Sequence, residues 1–209
     1  MAVPKVLLIS EIVGYMIGVV LSLFMIATAV VNFKKFKAHC FLFSHGEWDN
    51  DDQLQVTWAS KAYCISIISA GVLMLLVCCI QLYRLAISWL LRTHSTFLAS
   101  FIEAAVCTTL AALTMYCAVT VTLGFMTWCE DMNERYPTCL DADGEKLDKR
   151  DDIDTTNFYS DMTTLQVTSW IAFVTWTTLT VFSMAKMCYI HYWRNLPMSV
   201  RGEEQPLLD

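Results

Sequence analysis

The chain has 209 residues, 56% of them hydrophobic and only 16% charged, with a mean hydropathy of +0.48 and a formal net charge of −6. So little charge does not coat a soluble domain of this size. The absence of any basic patch or glycine-rich phosphate loop argues against a nucleic-acid partner.

The apolar residues fall in long blocks, the pattern of a chain whose solvent is the lipid bilayer. Four blocks reach the roughly 20 residues that a span needs, over about 6–31, 62–83, 97–127 and 162–185, with the fourth helix expected to run on over 162–189. Each is expected to be a helix, because a lone segment in lipid must satisfy its own backbone hydrogen bonds. The expected fold is an all-α membrane protein, a four-transmembrane-helix bundle over residues 1–190 with a polar tail over 191–209.

Lys5, the following apolar run and Ala27–Ala29 imitate a cleavable leader. The run is too long for one and Glu11 interrupts it, so a retained helix is expected. Within it Gly14, Gly18 and Ser22 recur every four residues, the small-xxx-small spacing that lets helix backbones approach closely. Packing inside the bundle is the expected use of that face, against Cys107, Ala111, Thr114 and Ala118 of the third span. Homodimerisation through Gly14–Gly18 is the alternative.

Glu11 and Glu103 are the only acids inside spans. A charge at mid-bilayer costs about 2.5–3.5 kcal/mol on insertion scales, so such residues invite functional attention. Both lie near the start of their helix, and Gln81 and Arg84 end the second span at the same depth. The expected arrangement is an intramembrane polar cluster of Glu11, Arg84 and Glu103 that locks the bundle, shallow enough for the carboxylates to reach water. A proton or cation site is the sharper alternative.

The first loop, 32–61, mixes Lys34, Lys35 and Lys37 with Glu47, Asp49, Asp51 and Asp52. The short second loop carries Arg84, Arg92 and His94 and no acid, and Lys186, Arg194 and Arg201 follow the fourth span. The third loop, 128–161, is strongly acidic, which speaks against an anionic lipid surface as its partner. The basic second loop favours cytosolic termini by the positive-inside rule, while Lys34–Lys37 points the other way.

Cysteines decide the orientation. Of 9, Cys78, Cys79, Cys107 and Cys117 lie inside spans and Cys188 at the end of the fourth. The remaining Cys40, Cys64, Cys129 and Cys139 gather in or beside loops one and three. An even set on one face reads as two disulfides in an oxidising compartment, hence a stapled extracellular or lumenal cap with both termini cytosolic. Four cysteines allow three connectivities. The local one, Cys40–Cys64 with Cys129–Cys139, is expected because each pair flanks a single loop.

Three strings, "CFLFSHGEW" at Cys40–Trp48, "GFMTWC" at Gly124–Cys129 and "NFYSDM" at Asn157–Met162 leading to Trp170, resemble the transmembrane protein 179 family. The likeness runs from the first span to the fourth. It implies a four-span topology and supplies no catalytic or binding residues, the family having no established biochemical activity. Claudins are also four-span proteins with a disulfide-bonded first loop. Their W–GLW–C–C signature is absent here, and that reading is set aside.

Little in the sequence suggests chemistry. His39, Cys40, His45 and Glu47 are close in sequence but fit no zinc spacing, and no metal or cofactor is expected. No serine, cysteine or threonine has a base in an interpretable motif, and no Asn-x-Ser/Thr sequon occurs. Trp58, Trp89, Trp128, Trp170 and Trp193 sit near span boundaries, as an aromatic belt requires. Cys188, and after it Cys78–Cys79, are candidates for palmitoylation.

The tail carries Glu203 four residues before Leu207–Leu208, resembling the acidic dileucine signal read by clathrin adaptors and implying plasma-membrane and endosomal or lysosomal residence. The expected function is that of a non-enzymatic tetraspan adaptor or auxiliary subunit binding another membrane protein. A small transporter or proton-coupled carrier using Glu11 and Glu103 is the alternative.

Overall fold

The computed structural model describes residues 5–48, 54–91, 97–144 and 155–195. Four helices, α1 (Lys5–Lys35), α2 (Lys61–Leu91), α3 (Phe97–Asn133) and α4 (Phe158–Asn195), are each long and apolar enough to cross a membrane. The first loop adds two strands, β1 (Cys40–Trp48) and β2 (Leu54–Ala59), paired antiparallel. The chain is a multi-pass membrane protein built as a four-helix bundle. The first three helices begin within a residue of the expected positions and α4 begins four residues earlier. All four run on past the expected ends, and Arg84 lies inside α2.

α1 packs on α2 and α4, α3 lies mainly against α4 and β1, and α2 and α3 touch much less. Gly14 and Gly18 explain how α1 serves two neighbours. A Cβ built on Gly14 would stand 2.6 Å from Leu179 of α4, and one on Gly18 would stand 2.7 Å from the Cys78 sulfur of α2. The small-residue face therefore receives a leucine and a cysteine from α4 and α2. The expected match with the small face of α3 does not form, because α3 packs on α4 rather than on α1. Ser22 is buried and its hydroxyl donates to the Gly18 carbonyl, which removes its polarity from the interface.

The outward faces are greasy, with Val13, Ile17, Val20, Leu23 and Phe24 exposed on α1 and Val167, Ile171, Val174 and Val181 on α4. Such faces suit lipid. The threonines of α4 are compatible with it because Thr175, Thr177, Thr178 and Thr180 each donate to the carbonyl four residues back.

The chain leaves α1 by a Schellman turn. Lys37 and Ala38 take left-handed φ of 46° and 62°, and their N–H groups return to the carbonyls of Lys34 and Phe33. β1 then starts beside the bundle. Its register with β2 slips between Cys40 and His45, where Phe43 has φ 62°. Ser44 repairs the ladder there, donating to the Cys40 carbonyl and accepting the Ala59 N–H. At the other junction Asp143 accepts the Phe158 N–H, capping the first turn of α4 from outside the helix.

Candidate functional site

Two assemblies gather the residues singled out in the sequence, one at each end of the bundle. The first is the cap. The disulfides Cys40–Cys64 and Cys129–Cys139 are both formed, with Cα atoms 5.7 and 5.2 Å apart. One ties the start of β1 to the first turn of α2. The other ties the last turns of α3 to the loop behind it. Each closes a loop and so removes conformational freedom from the unfolded chain.

Between the staples, the hairpin is seated on α3. Leu42 presses on Gly124, where an added Cβ would come within 2.9 Å of the Leu42 Cβ and 3.2 Å of its Cα. Phe41 and Phe36 pack around Trp128, which also stacks with Trp58 at 6.5 Å between ring centroids. Asp131 then accepts from the Gly46 N–H at 2.8 Å, while its carbonyl accepts from the Trp48 indole at 3.1 Å. Phe125 meets Phe158 and Tyr159, and Lys35 pairs with Asp161 at 2.7 Å. The three strings "CFLFSHGEW", "GFMTWC" and "NFYSDM" thus converge on one junction. Trp128 belongs to that core, only 1% exposed, and is not a belt residue as expected. Trp89 and Trp170 do face outward, and the side chain of Trp193 lies outside the described residues.

The second assembly lies at the seventh residue of α1 and of α3 and at the tenth residue from the end of α4. The Lys186 ammonium donates to Glu11 Oε1 at 3.1 Å and Oε2 at 2.9 Å, and to Glu103 Oε2 at 3.1 Å. The Tyr15 hydroxyl donates to Glu103 Oε1 at 3.1 Å and lies 3.5 Å from the Cys107 sulfur, which Ser183 approaches at 3.8 Å. Glu11, Glu103 and Lys186 are all less than 5% exposed.

The expected cluster of Glu11, Arg84 and Glu103 is corrected on two points. The cation is Lys186, and Arg84 instead donates to Gln81 one turn back on its own helix at 2.9 Å. The carboxylates are enclosed by helices on several sides rather than reaching toward water. In the sequence Lys186 follows the uncharged block that ends at Ala185 and so counts as a charge beyond the fourth span. The overlooked signal is charge balance, since two acids inside apolar helices need a cation at matching depth and Lys186 has apolar neighbours on both sides.

Cys188 and Cys79 are exposed free thiols and Cys78 is buried against Gly18. Among the described residues no group of three or more His, Cys, Asp or Glu side chains is placed to hold a metal, and Cys40 is in a disulfide. Glu203, Leu207 and Leu208, with Arg92 and His94 of the second loop, lie outside the described residues.

A family model, the transmembrane protein 179/179B claudin domain, matches residues 7–208. The chain belongs to that family. The match spans nearly the whole sequence and covers both assemblies, so cap and cluster are parts of one family domain. It also corrects the setting aside of claudins: the absent signature string did not exclude a claudin domain, whose description the family carries. No solved structure matches the chain.

Proposed function

We propose that this claudin-domain protein is a non-enzymatic tetraspan adaptor or auxiliary subunit, which engages another membrane protein through its stapled cap and the lipid-facing sides of its helices. The observation that carries this reading is the closed bonding of Glu11, Glu103 and Lys186. The ionisable groups that a carrier would use are bonded to one another inside the bundle, which supports a lock between helices over a conduit. The surfaces left to act are the cap and the outer helix faces. The free thiols inside the bundle, Cys78, Cys107 and Cys117, are buried away from any substrate, which supports a role without catalysis.

In this reading the cap faces the lumen or cell exterior and both termini the cytosol, as two disulfides at one end of the bundle require of an oxidising compartment. Gly14 and Gly18 are filled by Leu179 and Cys78, so a homodimer would use another face. The tail signal Glu203, Leu207 and Leu208 would pass the protein from the plasma membrane to endosomes or lysosomes. Replacing Leu207 and Leu208 by alanine should raise its surface biotinylation, and an unchanged surface fraction would remove that route. Cys188, an exposed free thiol, is the proposed palmitoylation site.

Photo-crosslinking from the cap in native membranes, followed by partner identification, tests the adaptor reading. A discrete membrane-protein adduct that disappears in Cys129→Ser/Cys139→Ser, a variant with its third loop unstapled, is the expected result. The two buried acids favour the carrier alternative, which predicts solute or proton uptake by reconstituted vesicles that is abolished in Glu103→Gln. Such uptake without any cap adduct would displace the adaptor reading.

A further inference from the structure

Arg84 is the cation that the lock of Glu11, Glu103 and Lys186 leaves out. Apart from Lys61 at the helix start it is the only charged residue of α2. Its guanidinium donates to the Gln81 side chain at 2.9 Å, a neutral partner one turn back. Among the described residues no carboxylate pairs with it, and both acids inside the spans are held by Lys186.

The helix sets the level of this cation in the membrane. The charge-free block of α2 covers 62–83, about the length that a hydrocarbon core needs. Arg84 therefore stands where that core gives way to headgroups, and the exposed Trp89 lies just beyond it, as suits an interfacial aromatic. Gln81, Arg84 and Ser88 fall at i, i+3 and i+7 and so share one stripe of the helix. Gln81 is buried, while Arg84 and Ser88 are half-buried. The stripe thus runs along the border of the buried face. Beside it, and deeper in the membrane, Leu76, Ile80 and Tyr83 are exposed.

These features select a ligand. A guanidinium holds five N–H donors in a planar fork that matches a phosphate, and Gln81 engages only one of its nitrogens. A cation without a counter-charge favours a ligand of net negative charge over a zwitterion. The exposed apolar side chains below it suit acyl chains. We propose that Gln81, Arg84 and Ser88 form a site for one anionic phospholipid, with its phosphate on Arg84 and its chains along Leu76, Ile80 and Tyr83. Gln81 is a positioning residue that steadies the guanidinium. The lock is untouched, because Arg84 shares no partner with Glu11, Glu103 or Lys186. On the facing proposed above, the lipid belongs to the cytosolic leaflet, where anionic headgroups concentrate.

Native mass spectrometry of the full chain, released from micelles holding equal amounts of phosphatidylserine and phosphatidylcholine with identical chains, tests the site. Both lipids surround the whole bundle in a micelle, so the result does not depend on which way the chain faces a cell membrane. One retained phosphatidylserine is expected, favoured about fivefold, the worth of one basic residue at an anionic surface. The preference should vanish in Arg84→Gln and weaken in Ser88→Ala. It should persist in Lys34→Gln, whose exposed lysine lies at the opposite end of the bundle. Equal retention of the two lipids by the unmutated protein would overturn the proposal, whether or not Arg84→Gln folds. A preference that survives Arg84→Gln, or is lost in Lys34→Gln, would place the lipid elsewhere and overturn it equally. Displacement of the lipid by glycerophosphoserine, a headgroup without chains, would make the ligand a free phosphate ester and overturn the lipid assignment.

Discussion

Lys186 serves two carboxylates at once, and replacing it by methionine would strand both inside the bundle. Removing one partner of a buried ionic group costs about 3–5 kcal/mol, so Lys186→Met should lower the midpoint of thermal or SDS-induced unfolding markedly. Adding Glu11→Gln and Glu103→Gln to the same chain should recover most of the loss, since no unpaired charge then remains. An unchanged midpoint for Lys186→Met would mean that the cluster does not hold the helices together. A second contrast separates two glycines. Gly124 abuts the Leu42 backbone, whereas Gly18 faces only the tip of the Cys78 side chain. Overpacking costs about 1–3 kcal/mol. Gly124→Ala should therefore destabilise the protein towards the upper part of that range, and Gly18→Ala less, because a cysteine sulfur can rotate aside. Equal melting shifts for the two variants would refute the distinction.

The elements show what the sequence could disclose and what it could not. Hydropathy finds where a helix enters lipid, and the four spans were legible for that reason. It does not find where hydrogen bonding stops, so α2 continues through Arg84 to Leu91, and α3 through the acidic turn at Glu130 and Asp131. The β-hairpin was missed, although "LQVTWA" alternates in the manner of a strand, because its partner "CFLFSHGEW" does not. Phe43 breaks the alternation by turning left-handed, and Ser44 bridges the slip by accepting the Ala59 N–H. The Glu11–Lys186 contact was illegible for a different reason: it joins the two ends of the chain, 175 residues apart, and no local pattern fixes that register. The disulfides were legible because each closes one loop. They should differ in worth. Cys40–Cys64 encloses a separation of 24 residues and Cys129–Cys139 one of 10. Loop-closure entropy gives each about 2–4 kcal/mol, more for the longer loop. Cys40→Ser/Cys64→Ser should thus melt lower than Cys129→Ser/Cys139→Ser in non-reducing buffer. Peptide mapping that joined Cys40 to Cys129 or Cys139 would refute the pairing itself.

For the whole molecule the decisive question is orientation. The two staples sit at the end of the bundle where α1 and α3 finish and α2 and α4 begin, and the proposed facing follows from their chemistry. Sealed microsomal vesicles, with their cytosolic face outward, provide the test. Added protease should remove a tag placed after Asp209 and spare one placed beside Asp143. Protection of the C-terminal tag would reverse the molecule in the membrane, and with it the assignment of the cap to the exterior.

α3 has one more property at this scale. It is a single unbroken helix of 37 residues, about 55 Å long at 1.5 Å per residue, with Asp131 holding the hairpin near one end and Glu103 holding Lys186 near the other. The two attachment points are about 42 Å apart on the same shaft. Helices of this length curve gently but do not hinge without a proline, a glycine–serine pair or a bulge, and α3 holds a single glycine, Gly124, placed above the bundle's midpoint. The shaft therefore ties its two ends stiffly together. A displacement of the hairpin at one end of the bundle would carry over to the carboxylate of Glu103 at the other.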